Sequence, residues 1–153
     1  MPHRAEQIIN RAAELHSAAA DVAANVFTDR VLSLAEDQDE LPAFSITEGT
    51  DQPQTENMGF IESLLTLRVF AFAVSVDEAD LRRQLRAMRA RTHRYLKTNG
   101  TLAAVNITLG LDFVSDVRYG GALEMQVIKR AQWCGLLECP YHVLYRMNET
   151  DPE

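Results

Sequence analysis

Ile61 to Val76 (IESLLTLRVFAFAVSV) is the longest apolar-rich run in the chain and constrains the fold more than any other stretch. Its first part alternates. Ile61, Leu65 and Leu67 are apolar and Glu62, Thr66 and Arg68 polar, with Ser63 and Leu64 breaking the pattern. From Val69 to Val76 both faces turn apolar, as in a central strand covered on each side. At about 3.3 Å per residue a continuous strand of this length spans about 50 Å, where about 5 or 6 residues is usual. The sequence therefore predicts a division: Val69 to Val76 as core, and Ile61 to Arg68 as the outer arm of a projecting hairpin.

The flanking segments supply what this run pairs with and packs on. Ile8, Ala12, Leu15, Ala19 and Val22 recur at helical spacing, predicting an amphipathic helix from residue 3 to about residue 22. Asn25 to Val31 reads as a short strand, Glu36 to Glu40 (EDQDE) as a solvated acidic turn, and Ala43 to Thr47 (AFSIT) as a second short strand. Glu48 to Gly59 (EGTDQPQTENMG) has no apolar periodicity and reads as a long loop at the hairpin tip. Asp77 offers an N-cap, and Leu81, Leu85, Met88, Thr92 and Tyr95 form the buried stripe of a helix that Asn99 and Gly100 stop. Period-two alternation follows from Leu102 to Phe113, from Ala122 to Trp133 and from Tyr141 to Met147, with Gly120 and Gly121 as the turn between the first two strands. Helix, hairpin, helix and meander make one α+β domain over residues 1–153, a mainly antiparallel or mixed sheet with two main helices packed on it.

The chain of 153 residues is long enough to bury a core without staples. Cys134 and Cys139 read as buried free thiols rather than a disulfide framework or a metal site. With no basic and apolar leader and no run of about 18 apolar residues, the chain is expected to stay in the cytoplasm and to have no membrane partner. His3, His16, His93 and His142 lack companions at metal-ligand spacing, and each reads as a surface or partly buried histidine. No nucleophile elbow or phosphate loop is present, and the carboxylates cluster in loops. The expectation is no catalytic residue, no metal and no cofactor.

Charge is the remaining signal. Arg82, Arg83, Arg86, Arg89, Arg91, Arg94 and Lys97 place seven of the fifteen basic residues on one helix, in a chain of net charge −7. Glu36, Asp37, Asp39, Glu40, Glu48, Asp51 and Glu56 form an acidic segment. A solvated face is the plain reading of the arginines, and nucleic-acid binding lacks an aromatic platform. A basic helix and an acidic segment on one chain also suit head-to-tail contact between copies.

In its order of parts the sequence resembles the tail terminator (tail completion, minor tail protein U-like) proteins of long-tailed bacteriophages. The resemblance is carried by Leu41, Pro42 and Ala43 opening LPAFSITEG, by the strand LLTLRVFAFAV (Leu64 to Val74) before a long helix, and by Tyr145 and Arg146 in the closing VLYRM. WCGLLECP (Trp133 to Pro140) departs from the family pattern, which has a plain strand or polar turn there. The resemblance implies a structural protein without catalytic residues or cofactor. It would form a six-fold ring on the end of the tail tube, stop tube polymerisation and present a surface to the head-tail connector. DNA would pass through it without specific binding, and its place would be the head-proximal end of the virion tail, after assembly in the host cytoplasm. Under that reading Arg82, Arg86 and Arg89, with Glu36, Asp37, Asp39 and Glu40, are subunit-interface candidates. Asp51, Gln54, Glu56 and Asn57 are candidates for the loop facing the tube or connector. The alternative is a non-enzymatic binding module or other neck protein whose arginine helix meets nucleic acid.

Overall fold

The computed structural model describes residues 3–17, 25–28, 42–57, 60–97, 111, 113–121 and 123–148. Two helices, α1 (Arg4–Ser17) and α2 (Glu78–Lys97), accompany β1 (Asn25–Phe27), β2 (Ala43–Asn57), β3 (Phe60–Ser75), β4 (Val114–Tyr119), β5 (Glu124–Lys129) and β6 (Trp133–Asn148). The strands form one six-stranded sheet in the order β1-β2-β3-β6-β4, with β5 also on β6, and the fold is α+β. Among the described residues only β1 and β2 pair in parallel; the other ladders are antiparallel.

The long apolar run is one strand over most of its length, and its antiparallel partner is equally long. β3 pairs with β6 from Phe60↔Asn148 to Ser75↔Trp133 without a register shift. On its other edge it pairs with β2 from Asn57↔Phe60 to Ala43↔Phe72. The hairpin is present, but Ile61 to Arg68 is not its free outer arm. This half is flanked on both edges, and Ser63, Leu65 and Leu67 are buried. The cause lies in β6, whose buried Tyr141, Val143, Tyr145 and Met147 continue the core beneath the expected arm. Val76, expected at the core end, is instead 75% exposed beyond the strand.

Both helices lie on one face. Ile8 and Ala12 of α1 and Leu81, Leu85, Met88 and Leu96 of α2 share a cluster with Leu65, Leu67, Val69, Ala71 and Ala73, the odd positions of β3. Each fully buried leucine there contributes about 2 kcal/mol of transfer free energy. α2 comes down directly on Gly135, where an added Cβ would meet Leu85 at 2.6 Å and Leu81 at 3.0 Å. The opposite face holds a smaller cluster of Ala43, Phe70 and Phe72, flanked by Arg68, which pairs with Glu138 at 2.9 Å and lies over Phe70. Cys134 and Cys139 are buried free thiols, as expected; an odd separation along one strand puts them on opposite faces.

Several sequence readings are corrected by the ladders. Glu48 to Asn57 is the outer part of β2 rather than a loop, and the strand there carries irregularities between Glu48 and Asp51 and between Pro53 and Thr55. Its polar composition is that of an edge: β1 covers β2 only as far as Ser45, and among the described residues nothing pairs with the rest of that edge. β4 went unread because a bulge between Val114 and Asp116 puts its buried residues, Val114 and Val117, three apart instead of two. The expected strand from Leu102 falls mostly outside the described residues, and Phe113 lies in a turn before β4.

Gly120 and Gly121 do not join a hairpin. β4 and β5 follow one another along the same edge of β6, β4 opposite Tyr141 to Tyr145 and β5 opposite Trp133 to Glu138. The break between them faces Pro140, whose carbonyl accepts from the Gly120 N–H at 2.9 Å. Proline has no N–H to return on that side, so the ladder is interrupted there. Gly121 takes φ +146°, which L side chains rarely adopt. Trp133, expected to end the preceding strand, instead begins β6.

α1 meets α2 through a histidine that the sequence reading put at or near the surface. His16 is buried, with Nδ1 at 2.7 Å from the Ala12 carbonyl, Nε2 at 3.0 Å from Thr92 Oγ1, and its ring edge-on to Phe44. Burial lowers its pKa from 6.5 to about 4, against the smaller opposing effect of the Ala12 hydrogen bond. The folded state thus holds the ring neutral while the unfolded chain protonates it first. This contribution is complete above pH 6.5 and is lost as pH falls towards 4. Chemical denaturation across this window should show wild type losing on the order of 3 kcal/mol that a His16→Gln variant does not lose. Parallel pH profiles for the two proteins would refute the assignment.

Candidate functional site

α2 begins where the chain leaves β3. Asp77 Oδ1 accepts from the Ala79 N–H at 3.3 Å, and Asp80 accepts from Gln84 and from Ser75, each at 2.8 Å. The Gln84 bond first, and then the Ser75 bond, hold the Asp80 carboxyl below its usual pKa. Leu81, Leu85, Met88 and Thr92 are buried, as the spacing predicts; Leu96, which the predicted stripe did not include, is buried with them, and the side chain of Tyr95 lies outside the described residues.

The arginines of α2 are not equivalent. Arg82 is held by Glu78, at 3.0 Å from Nη2, and its Nη1 lies 3.5 Å from Met125 Sδ on β5. Arg83 pairs with Asp80 at 3.6 Å. Glu78 and Asp80 thus engage the arginines of the first turns. Arg86, Arg89 and Arg94 have no carboxylate partner among the described residues. Of the three arginines predicted to act together, Arg86 and Arg89 share a site and Arg82 stands apart, already paired.

Arg86 and Arg89 line a recess of about 280 Å³ together with Ala90, His93 and Tyr119. Tyr119 is the last residue of β4, so the recess opens where the edge strand breaks. The His93 and Tyr119 rings stack at 5.0 Å with 9° between planes, and Tyr119 stacks on Tyr141 at 5.5 Å. Tyr119 remains 47% exposed. Beneath it two buried polar atoms lack any hydrogen-bond partner, Nδ1 of His93 and the hydroxyl of Tyr141. The Tyr141 pKa is raised by burial, and Arg89 is near enough to oppose the shift. Burial also pushes the Cys139 thiol up to about 11, again against Arg89. The Arg89 charge thus acts on both Cys139 and Tyr141 of β6. The basic helix pointed to Arg86 and Arg89, but His93, Tyr119 and Tyr141 carry no common sequence signal; only the fold brings them together.

No family model matches the chain, and no curated protein matches its sequence.

The remaining predicted positions are dispersed. Glu36, Asp37, Asp39 and Glu40 lie outside the described residues. Gln54 is exposed on β2, and Glu56 and Asn57 pair with Ile61 and Phe60 near the far end of the hairpin. Asp51 is no loop-tip residue. The register change after Glu48 turns it to the helix-bearing face, where Oδ1 accepts from Ser63 Oγ at 2.9 Å and Oδ2 from the Tyr145 hydroxyl at 2.5 Å. It ties β2 across β3 to β6. Burial first, then the Asp51 bond, raises the Tyr145 pKa.

This latch makes an ordered prediction for urea denaturation. Tyr145→Phe frees a carboxylate that water can solvate and should cost about 1 kcal/mol. Asp51→Ala strands two buried hydroxyls, so its cost should be larger, about 2–3 kcal/mol. The reverse order would refute the latch.

Proposed function

We propose that this chain is a structural ring subunit of the phage tail-terminator kind, without catalytic residues or cofactor. The observation that carries the reading is that Arg86, Arg89 and Arg94 on α2, exposed or half-buried, have no carboxylate partner among the described residues, on a molecule of net charge −7. A basic strip on an acidic molecule is complementary to another part of the same surface. A contact between unlike surfaces, repeated by a constant rotation, closes into a ring. The order of parts that resembles tail terminators adds the stoichiometry, about six copies, and the setting.

In this reading the ring caps the tail tube at the head-proximal end of the virion, stops tube polymerisation and offers its other surface to the head-tail connector. It assembles in the host cytoplasm, and DNA passes through it unheld. The seam uses Arg86 and Arg94, which are exposed, against a carboxylate-rich segment of the next copy, with Glu36, Asp37, Asp39 and Glu40 as the candidates. The far end of the β2–β3 hairpin, with Gln54, Glu56 and Asn57, reaches the tube or connector. A second reading, a non-enzymatic module that binds a phosphate-bearing ligand, is favoured by the recess at Arg89.

Native mass spectrometry and negative-stain microscopy of the purified protein should show closed rings of about six copies. Arg86→Glu with Arg94→Glu should disperse them while leaving the circular dichroism spectrum unchanged. A monomer at all accessible concentrations would refute the ring, and rings that survive the double reversal would refute the charged seam.

A further inference from the structure

The recess between α2 and β4 has the chemistry of a ligand site, built on Arg89 and sharing only Arg86 with the proposed seam. We propose that it binds a tetrahedral phosphate dianion, either inorganic phosphate or the terminal group of a phosphate monoester.

Two guanidinium groups, Arg86 and Arg89, line a space of about 280 Å³, and no described carboxylate pairs with either. His93 places a buried, unpartnered nitrogen in the wall, and the Tyr141 side chain below Tyr119 is fully buried with its hydroxyl unpartnered. Buried polar groups of native proteins are nearly always satisfied, so an orphan nitrogen on a residue that lines the recess beside two guanidinium groups without a carboxylate partner points to a missing ligand. A bound anion in the recess accepts from both guanidinium forks.

The charge selects the class. A phosphate monoester carries about −1.5 to −2 at neutral pH and balances two guanidinium groups, while one arginine fork already satisfies a carboxylate. The aromatic residues do not form a base platform, because Tyr119 is already stacked against both His93 and Tyr141. The site therefore recognises the phosphate rather than a nucleobase. A recess this small suits a terminal group better than a diester backbone, which carries one charge per phosphate and must continue on both sides.

The inference does not depend on the ring. The full chain is titrated with sodium phosphate, glycerol phosphate, sodium acetate and a double-stranded oligonucleotide at constant ionic strength. Thermal shift and calorimetry are the readouts, at a concentration where light scattering shows a constant oligomeric state. Phosphate and glycerol phosphate should bind saturably, and Arg89→Gln should weaken both by about ten-fold or more. Arg83→Gln removes the same charge from the same helix outside the recess and should leave binding unchanged. Equal responses to acetate and phosphate would overturn the proposal, as would an Arg89→Gln variant that binds like wild type. Oligonucleotide binding tighter than glycerol phosphate and equally sensitive to Arg89 would assign the recess to a diester backbone and overturn the monoester class.

Discussion

The unbroken ladder between β3 and β6 is the constraint on which the rest of the molecule depends. Sixteen consecutive residue pairs run from Phe60↔Asn148 to Ser75↔Trp133 with no bulge. Side chains alternate along both strands, so this one register decides every residue that faces the helices. It also gives neighbouring segments a template. The polar outer half of β2 is a strand because β3 supplies backbone partners for it, and β4 and β5 hold one line because both read the same edge of β6. Where β6 has a proline that edge breaks, and the candidate site opens at the break.

A helix with many arginines need not be a uniform basic surface. Its own first turn engages Arg82 and Arg83 through Glu78 and Asp80. Exposed pairs of this kind contribute little stability, about 0.2–1 kcal/mol each. Their consequence is one of selection: they leave Arg86, Arg89 and Arg94 without a carboxylate partner among the described residues. The cationic character of the helix is thereby concentrated beside β4, on Arg86 and Arg89, and outward at Arg94.

Tyr141 and Tyr145 sharpen this contrast. They lie four apart on one strand, on the same face, and both are fully buried. Tyr145 donates to Asp51 and helps hold β2 against the sheet, whereas the Tyr141 hydroxyl has no partner among the described residues and its ring stacks on Tyr119. The same side chain in the same layer is structural at one position and unsatisfied four residues away. The energetic penalty of an unmet buried hydroxyl is of the order that one ligand contact removes.

Elements whose burial follows a simple period were legible in the sequence: α1, the stripe of α2, the alternation along Tyr141 to Met147, and with them the α+β class. Elements whose period is broken were not. Bulges in β2 and β4 hide their strands, and Trp133 to Pro140 could be recognised as strand only once its partners were known. In the candidate site, Arg86 and Arg89 stood out by composition, because clustered charge is visible in one dimension. The pairing that removes Arg82, the stack of His93 and Tyr119, and the orphaned Tyr141 hydroxyl depend on contacts between residues far apart in the chain. By itself the sequence determined local periodicity and the placement of charge along the helix. Tertiary structure alone decided the full length of the central ladder, the inward turn of Asp51 and which arginines remain unpaired, because register and neutralisation depend on partners that local sequence does not specify.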